Sequence, residues 1–156
     1  MVSGTDLEAR LAAQGITLPV AAAPVANYVA AVITGRLLVV SGQLPLVEGR
    51  LSATGKLGGG VSVEQGSQAA RICAINLLAQ IKASLGSLDR VGRVVRLGGF
   101  IACTADFTQH ATVMNGASDL VAVIFGEAGR HARSTIGVPS LPLDAPVEVE
   151  GLFEIA

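Results

Sequence analysis

Val147-Glu148-Val149-Glu150-Gly151-Leu152-Phe153-Glu154-Ile155 is the stretch that decides the architecture. Apolar and charged residues alternate through it, which is the two-residue period of a half-buried strand. Val147, Val149, Phe153 and Ile155 point one way, toward a core. Glu148, Glu150, Leu152 and Glu154 point the other. A sheet with one packed face and one free face needs helices to supply the packing. The neighbouring segment, Arg133 to Val138, reads as a further strand, separated by the loop Pro139–Pro146 with its three prolines. If Ser134, Ile136 and Val138 face the core, then Arg133, Thr135 and Gly137 face away. The helix-free face is then expected to carry one Arg, three Glu and little bulk. Surface ion pairs, worth about 0–1 kcal/mol each, would account for such a face on pattern alone.

Working outward, Val91 to Ala105 is a long apolar strand whose Gly98-Gly99 pair suggests a bulge or a close backbone approach. Thr112 to Phe125 is a helix with Val113, Ala117, Leu120, Val121 and Ile124 inward, and the turn Gly126–Gly129 follows it. Val63 to Leu85 is the strongest helix. Ala70, Ala74, Leu77, Leu78, Ile81 and Leu85 recur at three- and four-residue spacing, and Gly86 stops it. Tyr28 to Ile33 and Leu37 to Gln43 form a hairpin about Thr34-Gly35-Arg36. Glu48 to Leu57 makes a short excursion with its own turns. Thr5 to Leu11 is a short helix, capped by Thr5 or Asp6 and ended by Gly15. Residues 1–24 form an N-terminal helix and connector to one domain spanning 1–156. The order gives an α+β fold: a mixed sheet with both long helices on one face.

Composition narrows the function. The 156 residues are 51% hydrophobic but only 3% aromatic and 15% charged, against about a quarter charged in an ordinary soluble domain. Two Lys and nine Arg face twelve acids, for a net charge of -1. That excludes a nucleic-acid binder driven by bulk electrostatics. The apolar runs, such as Val29–Ile33 and Leu37–Val40, are far shorter than the ~18–20 residues of a membrane span. The N-terminus lacks the basic and apolar regions of a secretory signal, so the expected location is cytoplasmic. Cys73 and Cys103 suit that compartment and read as small buried hydrophobes. An oligomer, with apolar interfaces, explains the shortage of charge.

Several site classes are absent. There is no P-loop, no dinucleotide fingerprint and no Gly-x-Ser-x-Gly elbow. His110 and His131 are separated by a helix and have no Cys-x-x-Cys, so no metal site is expected. Both His residues read first as loop or helix-cap residues.

Three blocks carry a resemblance. Val40-Ser41-Gly42-Gln43-Leu44-Pro45 is similar to the Ser-Gly-Gln-Ile/Leu-Pro signature of the RidA family, also called YjgF or L-PSP. Ala132-Arg133-Ser134-Thr135 and Leu141-Pro142-Leu143-Asp144-Ala145-Pro146-Val147-Glu148-Val149-Glu150 resemble its C-terminal signature, with the same fifteen-residue step from Arg133 to Glu148. The resemblance runs from about residue 25 to the end, and the extra N-terminal helix matches a longer subgroup often labelled translation initiation inhibitor.

The resemblance implies a chorismate-mutase-like fold and a homotrimer with ligand clefts between subunits. It implies hydrolysis of reactive enamines or imines, such as 2-aminoacrylate, to 2-oxo acids and ammonia, a metabolite-damage-control role needing no cofactor. Arg133 matches the arginine that binds the substrate carboxylate, a task suited to a guanidinium fork. Glu148 matches the glutamate that positions and activates water. Tyr28 and Ser41 match cleft-lining positions. Gly42 and Thr135 would add backbone or short side-chain contacts, and Asn115 lies near the family's asparagine. Thr135 stands where many members have Cys, and Gly137 where archetypal members have Glu. The alternatives are a non-catalytic 2-oxo-acid binder or sensor and, more distantly, an endoribonuclease or translation inhibitor.

Overall fold

The computed structural model describes residues 4–24 and 26–156. Helix α2, Val63–Leu85, spans the stretch expected of it, and all six residues of its apolar stripe are buried. Ser62 fixes its start by a reciprocal cap. The Ser62 hydroxyl accepts from the Gln65 amide at 3.1 Å, and the Gln65 side chain accepts from the Ser62 amide at 2.9 Å. Gly86 closes the helix with φ +82°, a conformation glycine takes without strain. Helix α3, His110–Phe125, starts two residues earlier than the sequence predicts and buries the expected five positions. It crosses α2 closely at Gly116, where a Cβ would land on the Ser67 carbonyl.

Both helices cover one face of a five-stranded sheet. In chain order the strands are β1 (Ala31–Thr34), β2 (Leu37–Gln43), β5 (Val91–Ala102), β6 (Ala132–Val138) and β7 (Val147–Ile155). They lie side by side as β1-β2-β7-β5-β6. Only the β5–β6 pair is parallel, joined through α3, so the sheet is mixed. A separate small hairpin, β3 (Leu46–Val47) and β4 (Arg50–Leu51), turns at Glu48 and Gly49. Both turn residues have positive φ, which the tightest hairpin turn requires. Strand β7 alternates as read: Val147, Val149, Phe153 and Ile155 are buried and the residues between them half-buried.

Of three readings, two need correction and one is decided between its alternatives. Tyr28 to Ala30 lie before the first strand, because Tyr28 turns back to the Ala26 carbonyl and the ladder with β2 starts at Ala31. The Gly98-Gly99 pair gives a close approach rather than a bulge. A Cβ on Gly98 would meet Glu150 and one on Gly99 would meet Met114, while the register shifts lie between Val91 and Arg96. The third concerns β6. Its parallel register puts Arg133, Thr135 and Gly137 beside Leu97, Gly99 and Ile101. Leu97 and Ile101 are fully buried under the helices, so Arg133 is on the helix side, not on the open face with Glu148. Ile136 faces outward instead and is 52% exposed.

Helix α1, Gly4–Ala13, packs Leu7 and Leu11 into the same hydrophobic cluster as the sheet. Arg10 donates to the Ile124 carbonyl at 3.0 Å, which satisfies an orphan acceptor at the end of α3. The capping role expected of Thr5 concerns a side chain outside the described set. The helix itself begins at Gly4, which puts Asp6 inside its first turn rather than ahead of it. Among the described residues no helix is long and apolar enough to cross a membrane.

Candidate functional site

The residues singled out by the sequence fall into two groups on opposite faces of the sheet. The first gathers around a bulge in β2. Val40 pairs with Gly151 and Gln43 with Val149, so Ser41 and Gly42 together stand opposite Glu150. That extra residue bends the strand and re-aims its neighbours. The Glu148 carboxylate lies over Gly42, in the place a Cβ would occupy. The missing Cβ of Gly42, not its φ, is what leaves the carboxylate that place. Tyr28, Gly42, Gln43, Gln80, Pro142 and Glu148 line a cavity of about 60 Å³. Ser41 does not line it. Its hydroxyl donates to the Val29 carbonyl at 2.9 Å and its amide to Ala30, so it pins the segment that presents Tyr28.

Glu148 is distinguished from its neighbours by what it lacks. Glu154 pairs with Arg36 at 3.0 Å, and Glu150 reaches Arg96 at 4.0 Å. Those two glutamates fit the bland reading of a solvated face. Among the described residues Glu148 forms no ion pair. Partial burial, with the charge of Glu150 added, pushes its carboxyl above the ordinary glutamate range. A half-buried acid held ready to take up a proton is suited to acid–base work.

Gln43 and Gln80, which the sequence reading did not single out, form the floor. Gln80 donates to the Ala22 carbonyl at 2.7 Å and lies 3.4 Å from the Gln43 side chain, which itself donates to the Ser41 carbonyl at 3.0 Å. They tie α2, the connector and the bulge together. The visible signal was Gln80 itself, an amide adjoining the apolar stripe between Leu78 and Ile81.

The second group lies between β6 and α3. The Arg133 guanidinium donates to the Ser118 hydroxyl at 3.0 Å and to the Ala111 carbonyl at 3.3 Å. Ser118 in turn meets Nε2 of His131 at 2.9 Å, and Nδ1 of His131 meets the Gly129 carbonyl at 2.6 Å. A carbonyl only accepts, so Nδ1 carries a proton. In the neutral ring Nε2 then accepts from Ser118, whose lone pairs receive Arg133. Each link orients the next, and the guanidinium is fixed at the end of the chain. Asn115 is exposed on the same helix stripe as Ala111 and Ser118. Thr135, one step along β6 on the same side, has a buried Oγ1 without a hydrogen-bond partner. Ser118 and His131 complete a site that the sequence showed only through Arg133.

One chain therefore brings Tyr28, Gly42 and Glu148 together, with Ser41 behind them, and gathers Arg133, Thr135 and Asn115 elsewhere. It does not join the two sets. Beside its glutamates and Arg96 the open face also exposes aliphatics, namely Val32, Leu37, Val39 and Ile136. Among the described residues no group of three or more His, Cys, Asp or Glu is placed to hold a metal ion.

A family described as "YjgF/chorismate_mutase-like, putative endoribonuclease" matches residues 8–154. Protein TCP17 of Trypanosoma cruzi is 47% identical over 156 residues, covering 99% of this chain and 98% of that protein. The crystal structure of Atu1372, a protein of unknown function from Agrobacterium tumefaciens, superposes with a TM-score of 0.92 at 47% identity over 98% of this chain and 94% of that one. Escherichia coli TdcF with bound serine superposes with a TM-score of 0.61 at 25% identity, covering 87% of this chain and 94% of that one.

Proposed function

The chain belongs to the YjgF/chorismate-mutase-like family, and on that premise we propose that it hydrolyses small carboxylate-bearing imines and enamines to 2-oxo acids and ammonia. The clefts form between neighbouring copies of a cytoplasmic homotrimer. The observation that carries the reading is the division of the site. An unpaired carboxylate faces a cavity at the β2 bulge, and a guanidinium anchored for use lies between β6 and α3. Each half lacks what the other holds.

The chemistry follows from those groups. Arg133 takes the substrate carboxylate with its planar donors. An enamine first gains a proton at carbon and gives one up from nitrogen, becoming the imine. Glu148 holds a water against the imine carbon and takes one of its protons as the C–O bond forms. The nitrogen receives that proton; Glu148 then takes the proton of the new hydroxyl and passes it to the nitrogen as the C–N bond breaks, leaving the 2-oxo acid and ammonia. The raised affinity of Glu148 for a proton serves both halves of this shuttle. The imine is already electrophilic, so the proposed reaction uses no cofactor.

A binding-only role is the second reading, and the serine held by TdcF favours it. The endoribonuclease in the family's description is not carried over, because a net charge of -1 offers little attraction to phosphate. The test is ammonia release from 2-aminoacrylate generated in situ. The reading expects catalysis that Arg133→Ala and Glu148→Gln each abolish. Ammonia release unchanged in Arg133→Ala would refute it. Saturable binding of a 2-oxo acid without turnover would establish the second reading instead.

A further inference from the structure

Beyond that cleft, Cys103 and His110 share a second cavity, of about 460 Å³, lined also by Lys56, Thr104, Phe107 and Gly137. The Cys103 thiol lies 3.5 Å from Nε2 of His110, within hydrogen-bond range for sulfur. Three features hold the pair in place. Cys103 directly follows β5, and its amide donates to the Val138 carbonyl of β6 at 3.1 Å. The Phe107 ring meets the imidazole edge-on, with centroids 5.2 Å apart. Gly137 provides the room, since a Cβ there would come within 2.7 Å of both the sulfur and Nε2. The absent side chain on β6 is thus what exposes the thiol and the base to one space.

The other thiol gives the contrast. Cys73 is fully buried and points at the Val147 carbonyl 3.6 Å away. Burial, with the Glu148 charge added, pushes that thiol well above its ordinary range. It has no base. Cys103 has a base, a cavity and a cation at the wall in Lys56. His110 is also the first residue of α3, whose start carries no side-chain cap, so negative charge is favoured at this end of the cavity.

We propose that Cys103 and His110 form a nucleophilic thiol site that takes a small anionic carbonyl compound, an aldehyde acid or a 2-oxo acid. The thiol proton passes to Nε2 as sulfur attacks the carbonyl carbon and the S–C bond forms. The carbonyl electron pair moves to oxygen, which takes the proton back from His110. The product is a hemithioacetal or hemithioketal adduct, with no oxidation and no leaving group. Lys56 faces the carboxylate.

The test uses iodoacetate and iodoacetamide on the full chain at pH 7, with labelled residues located by mass spectrometry. In this reaction the S–C bond forms, iodide leaves with its electron pair, and the proton goes through His110 to water. Cys103 is expected to react and Cys73 to stay unlabelled, which also reports that each variant is folded. His110→Asn and, independently, Gly137→Ala should each slow labelling at least ~10-fold. Lys56→Ala should slow iodoacetate and leave iodoacetamide unchanged. Millimolar glyoxylate should protect Cys103. Wild-type labelling rates in both His110→Asn and Gly137→Ala would overturn the pair. Equal effects of Lys56→Ala on the two reagents, or no protection by glyoxylate, would overturn the ligand class.

Discussion

The divided site makes a quantitative prediction about mixed assemblies. Arg133 aligns with Leu97 on β5, and Glu148 aligns with Phe100, three residues further along. That is about 10 Å along the strands. Strands β6 and β7 flank β5, which adds about 10 Å across them. The two side chains also leave the sheet on opposite faces. In an imine acid the carboxylate and the imine carbon are bonded neighbours, so the groups serving them must approach within roughly 6–7 Å, two contacts of ~3–3.5 Å. One copy does not meet that requirement. Arg133→Ala and Glu148→Gln are each expected to lose at least ~100-fold in ammonia release. Co-refolded in equal amounts, they should recover. Half the clefts draw Arg133 from an intact copy and half of those face an intact Glu148, which gives about one quarter of wild-type activity. Wild type co-refolded with an equal amount of the double variant should likewise retain about one quarter, against about one half if a single copy held both groups. A mixture of the single variants that stays at their own residual level would refute the shared cleft.

Other expectations follow from single contacts. The raised Glu148 carboxyl binds its proton more tightly folded than unfolded, so its contribution to stability is full below the unfolded value and is lost as pH rises through the folded one. Glu148→Gln should therefore melt above wild type at neutral pH and converge with it in acid, and a lower melting temperature at neutral pH would contradict burial as the cause. Gly42→Ala puts a methyl where the Glu148 carboxylate lies. Since only the end of a flexible side chain must move, the chain should fold and lose activity about as far as Glu148→Gln, as circular dichroism and the ammonia assay would show. Ser118→Ala removes the hydroxyl that links Arg133 to His131 and should raise KM roughly tenfold, about one charged hydrogen bond, with kcat nearly unchanged; an unchanged KM would remove Ser118 as a positioning residue. Phe153→Ala, at a ring 1% exposed, should cost about 3–5 kcal/mol by urea unfolding.

How far the sequence reading reached depends on what each element reports by itself. Helix α2 and strand β7 were legible residue by residue, because their own periodicity states which side is covered. Strand β6 was misread for a specific reason. Its residues alternate too, but the choice of inward face rested on putting Ile136 in the core. On an edge strand the parity is set by the register with the neighbour, and the pairing of Leu97 with Arg133 has no signature in either segment. The same limit hid Ser118 and His131. They become a relay only when α3 lies beside β6. Gln43 and Gln80 needed the bulge before they could share a cavity with Glu148.

The misplaced face bears on the shortage of charge. Had Arg133 shared the open face with the three glutamates, that face would have been a solvated surface with internal neutralisation. Instead Arg36 and Arg96 neutralise only Glu154 and Glu150, and among the described residues Glu148 is left unpaired on a face that also exposes Val32, Leu37, Val39 and Ile136. Clustered exposed aliphatics are characteristic of interaction surfaces. Covering it with further copies of the chain, as the proposed trimer does, removes the aliphatics from water. It also strengthens the burial that already raises the Glu148 carboxyl. The low charge content, the outward Ile136 and the perturbed acid then have one cause. In the proposed trimer the opposed faces of Arg133 and Glu148, which look like a defect within one chain, become the geometry by which neighbouring copies complete each other's cleft.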